Sequence, residues 1–366
     1  MKTWFKEYKF IILLFLLWQL TMVAIAYFNL QAIPANPENT LIPLYHLQPI
    51  LKAITFSMWN QWDSEAYVTI GSQGYANPIH LVFYPLFPLT ARIIGEVISL
   101  FYPVTLRIAG VIASSIFLFT TICVLFRWCK EKFSKELAYT TVLVLLFFPT
   151  SFFLRATYTE SLFLLLTLCT FYFVDKKRFL WSAIFCGLAS ATRLVGLGIV
   201  PIMLFIYIQE QLKIHHLSVK DILKSIGLAI IATSGFIAFG IYQLIYFHSP
   251  IATLEISKGY WNRYFSLEHL WYGIQTNFHN LFGQSIRTIC YTPGQNYAGM
   301  IPTCPSTALI NITFTITFLV WCIWVTWKNK IPRSHQLLAW MLIILAIGSG
   351  WLDGVPRYIL PCFPLF

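Results

Sequence analysis

FIILLFLLWQLTMVAIAYF, residues 10–28, is a long apolar run without a charged side chain. A helix needs about 20 apolar residues to cross the hydrocarbon core of a bilayer. Lys2, Lys6 and Lys9 precede the run, as is typical of the cytoplasmic end of a span. AIA at residues 24–26 resembles a signal-peptidase site, but the apolar core exceeds the roughly 7–15 residues of a signal peptide. The stretch therefore predicts an uncleaved first transmembrane helix.

The composition predicts that this first span has several companions. Of 366 residues, 58% are hydrophobic and only 11% are charged, so a soluble domain could not bury the apolar runs. The fold class that follows is all-α, a polytopic transmembrane helical bundle. YILPCFPLF at residues 358–366 ends too early to be a full span, and both a fragment and a shortened protein stay open as explanations. Further spans are predicted at 104–127, 136–154, 159–174, 179–208 as two short helices, 222–246, 307–327 and 336–352.

Basic residues orient this layout in the membrane. Segments on one side of it hold 16 of the 25 lysines and arginines, and lysine and arginine near span ends favour the cytoplasmic side. The formal charge of +11 then reflects membrane orientation rather than nucleic-acid binding. We predict a multi-pass protein of a bacterial inner membrane or of the endoplasmic reticulum, with the lipid bilayer as a partner and no nucleic acid.

Residues 80–101 do not fit a simple span. The segment HLVFYPLFPLTARIIGEVISLF is apolar, but it contains two prolines, Arg92 and Glu96, and a span here would invert the basic-residue pattern downstream. We predict a helix that lies along the outer membrane surface. The outer side then has two large loops, residues 29–103 and residues 247–306, within a single membrane domain that covers 1–366. Loops of this length are usually functional, so we expect the chemistry on that side.

Motifs for cofactors are missing from the sequence. It has no GxGxxG, Walker or GxSxG sequence, no CxxC pair and no HExxH or comparable histidine spacing. We predict no cofactor and no dedicated metal site, although divalent-metal dependence is not excluded. Only two of the eight cysteines, Cys290 and Cys304, fall in an outer loop, where a disulfide is plausible in an oxidising compartment.

WNQWDSEAYVTIGSQGY, residues 59–75, places acidic side chains among aromatic ones in the first outer loop. Residues three and four positions apart share one helical face, so Asp63 would lie beside Tyr67 while Glu65 points about 200° away. Tryptophans such as Trp62 favour the membrane interface. A carboxylate placed there can take a proton from an acceptor hydroxyl. A helix N-cap role for Asp63 stays open as the alternative.

Several motifs together resemble a known family. The pattern W-D-S-x-x-Y-x-x-I-x-x-x-G-Y begins at Trp62 and is followed by FYPLFPL at residues 83–89. PTSFFLRATYTESLFLLL at 149–166, GLASATRLVG at 187–196 and GVPRYILPCFPLF at 354–366 continue it. The arrangement resembles the PIG-V family, the GPI mannosyltransferase II-like membrane glycosyltransferases of the GT-C fold, over nearly the whole chain.

The resemblance implies a GT-C membrane fold, a lipid-phosphate-linked sugar as donor and an acidic catalytic residue in the first outer loop, which Asp63 matches. It also implies a surface helix after that acid. We therefore expect transfer of a hexose, mannose by resemblance, from a polyprenyl- or dolichyl-phosphate sugar to a glycolipid, glycan or protein on the periplasmic or lumenal side. A single displacement would invert the anomeric configuration. The alternative is a non-catalytic transporter of lipid-linked sugars or an assembly scaffold.

Arginines are the candidate ligands of the donor phosphate. Arg193 lies in the break between the two short helices, and an arginine at membrane depth costs about 2.5–3.5 kcal/mol on insertion scales and needs an anionic partner. A structural pair with an acid or with helix carbonyls is its alternative. Arg155 and Arg357 lie at outer ends of predicted spans, where each could contact phosphate or snorkel to the surface.

Contacts with the sugar or the acceptor are predicted for a further set of residues. Glu160 follows Thr157 with the spacing of a helix capping box, which stays open as its alternative role. KGYWNRYF at residues 258–265 has an aromatic composition suited to stacking on a sugar. The set consists of Trp62, Tyr67, Glu160, Trp261 and Arg263.

Overall fold

The computed structural model describes residues 2–32, 49–214, 216–282, 305–329, 331–348 and 354–363. Within those ranges it contains α-helices and short 3-10 helices and no β-strand, which confirms the all-α prediction. The α-helices are Lys2–Ala32, Ile50–Thr55, Asp63–Gln73, Leu86–Ser99, Leu106–Lys132, Lys135–Leu146, Glu160–Asp175, Phe179–Ser190, Ile199–Ile214, Val219–Phe247, Ala252–Gly259, Leu267–Leu281, Pro305–Lys328, Arg333–Gly348 and Val355–Tyr358.

Five segments in the described part of the chain are long and apolar enough to cross a membrane. Their length and composition confirm a polytopic membrane protein, and the first of them includes residues 10–28. The shorter helices Glu160–Asp175 and Arg333–Gly348 occupy two more of the predicted spans. The five segments are Tyr8–Leu30, Leu106–Lys132, Leu194–Ile214, Val219–Phe247 and Ala308–Lys328.

The prediction of one continuous span over residues 136–154 is wrong. An α-helix covers Lys135–Leu146 and a separate 3-10 helix covers Ser151–Leu154. Pro149 lies between them, and proline has no backbone N–H for a helical hydrogen bond. By contrast, the two short helices predicted within 179–208 are present as Phe179–Ser190 and Ile199–Ile214, joined by the 3-10 helix Leu194–Gly198.

The chain divides into two compact units, one formed by residues 1–76 and 85–169 and the other by residues 77–84 and 170–365. The single membrane domain over 1–366, with outer loops at 29–103 and 247–306, stays a prediction.

The first unit packs around the helix Leu106–Lys132. Gly110 on this helix lets the segment before Glu160 approach closely, because a Cβ at Gly110 would lie 2.4 Å from Thr157 Cγ2. Ser114 adds a hydrogen bond from its Oγ to the carbonyl oxygen of Ala156 at 2.7 Å. Small side chains on the helix therefore position the chain that leads into Glu160.

The helix predicted within residues 80–101 is present over Leu86–Ser99, which we call the amphipathic helix. Phe87 and Ala91 are buried on one side, whereas Arg92 and Glu96 form an exposed ion pair at 2.8 Å on the other. This two-sided character suits a helix at a membrane interface. Its location along the outer membrane surface stays a prediction.

The second unit contains a close crossing of the helices Phe179–Ser190 and Val219–Phe247. A Cβ at Gly187 would lie 2.5 Å from the carbonyl oxygen of Ile231, and one at Gly235 would lie 2.3 Å from the carbonyl oxygen of Gly187. Small residues at such crossings allow transmembrane helices to approach closely. The contact holds the helix that ends just before Arg193.

The cysteines agree with the sequence prediction where the structure describes them. Of the six, only Cys123 is half-buried, and Cys129, Cys169, Cys186, Cys322 and Cys362 are buried, as expected for packing residues. Cys290 and Cys304 lie outside the described residues, so their disulfide stays a prediction.

Candidate active site

Asp63 is the first residue of the helix Asp63–Gln73, which we call the motif helix. Trp62 occupies the N-cap position, and within the described chain its side chain makes no capping hydrogen bond. The N-cap interpretation of Asp63 is therefore wrong. Asp63 lies instead in the first helical turn, half-buried, where the helix N-terminus favours negative charge.

The two acids of the motif helix point to different surroundings, as predicted. Tyr67, one turn after Asp63, is buried, whereas the side chain of Glu65 is 61% exposed. Glu65 forms an ion pair with Arg107, with Oε2 and Nη2 separated by 2.6 Å. The pairing engages Glu65 in a surface contact and leaves Asp63 as the acid on the Tyr67 side of the helix.

The turn before Asp63 has an unusual backbone. Trp62 has φ +47° and ψ −115°, a conformation that non-glycine residues rarely adopt and that costs about 1–3 kcal/mol. Its indole is 75% exposed. Strain of this kind persists only where the surroundings hold the chain in place, and it is found frequently at functional sites.

Residues 155–158 hold this turn from the other side. The hydroxyl of Tyr158 donates to the carbonyl oxygen of Gln61 at 3.0 Å, and the backbone N–H of Thr157 donates to the carbonyl oxygen of Trp59 at 3.0 Å. Tyr158 and Thr157 are almost fully buried. The motif around Asp63 and the motif around Glu160 thus form one local structure, a contact that the sequence analysis did not identify.

Arg155 belongs to the same structure. Its Nη2 donates to the carbonyl oxygen of Thr55 at 3.1 Å, and its guanidinium carbon lies 5.1 Å from the ring centroid of Trp59. The residue is 5% exposed, so the snorkelling interpretation is wrong. Burial lowers the pKa of Arg155 to about 10, and the side chain keeps its charge at neutral pH. Its buried Nε makes no hydrogen bond with any described residue.

Glu160 is fully buried at the start of the helix Glu160–Asp175. Because the helix begins at Glu160 itself, Thr157 is too far upstream to be the N-cap residue. The Oγ1 of Thr157 is also without a hydrogen-bond partner among the described residues. The capping-box interpretation is therefore wrong. The hydroxyls of Tyr67 and Thr159 lie 3.5 Å apart, which places the buried Tyr67 ring next to the residue that precedes Glu160.

The second unit brings three of the predicted arginines to one tyrosine. Arg193 and Arg357 place their guanidinium carbons 5.5 and 5.9 Å from the ring centroid of Tyr358. Arg263 donates from Nη1 to the Tyr358 hydroxyl at 3.2 Å. All four residues are half-buried. We call these residues the arginine cluster.

The local backbone explains how Arg193 reaches this cluster. Arg193 lies three residues after the end of the helix Phe179–Ser190, directly before the 3-10 helix Leu194–Gly198, and its backbone is extended with φ −155° and ψ 146°. Gly196 allows the turn that follows, because a Cβ there would lie 2.5 Å from the carbonyl oxygen of Ala189. The sequence patterns indicated the arginines but not Tyr358, whose one signal in the sequence was its place next to Arg357.

Trp261 is the remaining predicted contact. It is half-buried, and its ring centroid lies 6.4 Å from that of Phe83. Its Nε1 is buried without a hydrogen-bond partner in the described ranges. The ring thus packs against another aromatic residue of the second unit, and its predicted contact with a sugar stays a prediction.

Metal ligands do not cluster in the described part of the chain, where no group of three His, Cys, Asp or Glu side chains could hold an ion. This finding leaves metal dependence untested. Asp63 and Glu160 supply carboxylates and the arginines supply guanidinium groups, which suit proton transfer and the binding of phosphate.

These features define an integral membrane protein of several apolar helices with an acidic motif and an arginine cluster. The chain belongs to the mannosyltransferase (PIG-V) family, whose model matches residues 7–271 and so covers well over half of the chain. No curated protein and no solved structure matches it. Membership makes the chain a glycosyltransferase, so the non-catalytic alternative, a transporter or scaffold, is wrong. Arg357 and Tyr358 lie beyond the matched residues.

Proposed function

We propose that the enzyme transfers mannose from a polyprenyl- or dolichyl-phosphate donor to an acceptor hydroxyl on the periplasmic or lumenal side of the membrane, with inversion. The observation that carries the proposal is the placement of Asp63 directly after the strained Trp62 turn. The acceptor is a glycolipid, a glycan or a protein.

Asp63 acts as the general base in this proposal. The acceptor O–H proton moves to the Asp63 carboxylate while the acceptor oxygen bonds to the anomeric carbon. The bond from that carbon to the phosphate oxygen breaks, and its electron pair stays on the phosphate. Attack opposite to the leaving group inverts the configuration. Proton transfer by a positioned carboxylate contributes about 10²- to 10⁴-fold in rate.

Glu65 is unsuited to the same role. Its carboxylate is paired with Arg107 at 2.6 Å and is largely exposed to solvent. Asp63 is half-buried on the Tyr67 side of the same helix, where water competes less with an acceptor hydroxyl for contact with the carboxylate. The difference between the two acids supports Asp63 and supplies a matched control on the same helix.

The arginine cluster is the proposed site for the donor phosphate. Arg193, Arg263 and Arg357 bring three positive charges to Tyr358, and guanidinium groups bind phosphate oxygens in a forked geometry. Arg155 is a further proposed phosphate contact, supported by the buried Nε that makes no hydrogen bond within the described residues.

The test is transfer of radiolabel from polyprenyl-phosphate mannose to a membrane extract by the purified protein. We expect label in the acceptor with the wild type and with Glu65→Gln. Asp63→Asn should lose about 100-fold or more in kcat while the protein stays folded, because an amide cannot accept the proton. Binding of the donor should be largely retained.

Three outcomes would contradict parts of the proposal. Wild-type turnover by Asp63→Asn would remove Asp63 as the base and direct attention to Glu160. Faster transfer from polyprenyl-phosphate glucose than from the mannose donor would correct the sugar. The absence of transfer from any lipid-phosphate donor by folded wild-type protein would overturn the donor class.

A further inference from the structure

We infer that Tyr358 is a positioning residue that holds Arg193, Arg263 and Arg357 together as one site for the phosphate of a polyprenyl lipid. The inference rests on the proposed function, because it assigns these arginines to the donor phosphate. It adds that contacts with Tyr358 fix the three guanidinium groups relative to one another.

Three separate segments deliver the arginines to this tyrosine. Arg193 comes from the break after Phe179–Ser190, and Arg263 comes from the connection between Ala252–Gly259 and Leu267–Leu281. Arg357 precedes Tyr358 on the helix Val355–Tyr358. Since these segments are far apart in sequence, their meeting at one ring is a product of the tertiary fold.

Tyr358 offers each arginine a favourable contact. The negative face of an aromatic ring attracts a guanidinium group, and the centroid distances to Arg193 and Arg357 are 5.5 and 5.9 Å. The phenol oxygen accepts the hydrogen bond from Arg263 at 3.2 Å. Three like charges repel one another, most strongly where water is scarce. Contacts with one tyrosine offset part of this repulsion and restrict where the three charges lie.

The charge of the ligand changes during the proposed reaction. A polyprenyl-phosphate sugar is a phosphodiester with one negative charge. Loss of the sugar leaves a phosphate monoester, which carries about 1.5 to 2 negative charges near pH 7, as phosphorylated side chains do. A preorganised group of three cations is therefore more favourable for the leaving phosphate than for the substrate, and this difference lowers the barrier.

The experiment compares Tyr358→Phe with Tyr358→Leu. The phenylalanine variant keeps the ring and removes the hydroxyl that accepts from Arg263, and we expect kcat to fall about 10-fold with KM for the donor little changed. The leucine variant also removes the ring, and we expect kcat to fall about 100-fold. Tyr246→Phe, at an exposed tyrosine of the same unit, is the matched control.

Binding is measured separately with sugar-free, short-chain polyprenyl phosphate as an inhibitor and with polyprenol as the probe that lacks the phosphate. Tyr358→Phe should weaken inhibition by polyprenyl phosphate about 10-fold and leave weak binding of polyprenol unchanged. Both Tyr358→Phe and Arg263→Gln remove the same hydrogen bond. In the double variant, inhibition by polyprenyl phosphate should therefore be weakened about as much as in the more affected single variant.

Equal kcat values and equal inhibition for Tyr358→Phe and Tyr246→Phe would overturn the inference, as would additive losses in the double variant. This holds even if Tyr358→Leu fails to fold. The role of Tyr358 and the proposed transfer reaction can be refuted separately. Transfer without weakened phosphate inhibition in Tyr358→Phe removes the role of Tyr358 alone. Weakened inhibition in a protein that transfers no sugar from a lipid-phosphate donor removes the proposed function and keeps the phosphate site.

Discussion

The hydroxyl of Tyr158 donates a hydrogen bond to the carbonyl oxygen of Gln61 at 3.0 Å, one residue before the strained Trp62. The two residues are far apart in sequence. The bond ties the motif around Glu160 to the turn that presents Asp63, and a strained turn needs such external support to persist. Tyr158 is 2% exposed, so water cannot easily replace the contact.

Removal of this hydrogen bond should reduce activity more than stability. Tyr158→Phe keeps the ring in place and removes one of the two described donors to the Gln61 carbonyl, while the Ser64 N–H still donates to it at 3.0 Å. The loss of this hydrogen bond costs about 1 kcal/mol of folding free energy. We expect kcat to fall about 10-fold, because displacement of a catalytic group by a fraction of an ångström slows the reaction. Activity and thermal unfolding are measured in the same detergent. Tyr139→Phe, a half-buried tyrosine of Lys135–Leu146, should keep full activity, and an equal loss in both variants would refute a specific role.

The strained backbone at Trp62 predicts opposite effects on stability and activity. Trp62→Gly removes a side chain that is 75% exposed and relieves a conformation at φ +47°, so we expect thermal stability to equal or exceed that of the wild type. Trp62→Ala keeps the strain and should be less stable than the glycine variant by about 1 kcal/mol. Both should lose about 10-fold in activity if the indole contacts the sugar. A glycine variant that unfolds at lower temperature than the alanine variant would contradict the strain argument.

Gly196 supplies a test of the turn that places Arg193. In Gly196→Ala, the new Cβ would lie 2.5 Å from the carbonyl oxygen of Ala189, and we expect destabilisation by about 1–3 kcal/mol. The inhibition by polyprenyl phosphate should weaken as well, because Arg193 moves. Gly227→Ala is the control, since open space surrounds that position and alanine raises helix stability by about 0.5–1 kcal/mol. Equal unfolding temperatures for the two variants would show that the turn tolerates a side chain.

Membrane sidedness can be measured with single cysteines in a background in which all eight native cysteines are replaced. Ser64 is fully buried and is a poor probe, whereas Ser72 is exposed on the same helix. We expect an impermeant thiol reagent to label Ser72→Cys from the outer side. The side chain of Lys177 is 67% exposed, and its segment is rich in basic residues, which predicts the cytoplasmic side. Lys177→Cys should therefore react only after the membrane is made permeable to the reagent. Labelling of both from one side would refute the layout.

Local patterns in the sequence predicted a substantial part of this protein. The length of the run at residues 10–28 and the overall composition were sufficient for the membrane class, since the bilayer thickness sets the length of a span. Helical periodicity separated Asp63 from Glu65, because side-chain direction along a helix depends only on spacing. The motifs carried the family resemblance, which the match over residues 7–271 confirmed.

The predictions that failed each depended on the position of a helix boundary or on a distant partner. Asp63 was open to an N-cap role and Glu160 to a capping box, and both helices begin one or more residues away from the position that those roles need. Arg155 could snorkel by sequence, but the folded chain buries it against Trp59. Capping preferences are worth about 1 kcal/mol, so tertiary contacts readily override them.

The sequence by itself determined that the chain spans a membrane several times. It also identified an acid within an aromatic motif and arginines near the ends of predicted helices. Only the tertiary structure decided that Tyr158 supports the Gln61 turn and that Arg193, Arg263 and Arg357 meet at Tyr358. Hydrophobic length and helical period are local quantities that a short window of residues specifies. The meeting of distant side chains depends on how whole helices pack, and close packing at glycines such as Gly110 and Gly196 determines that arrangement.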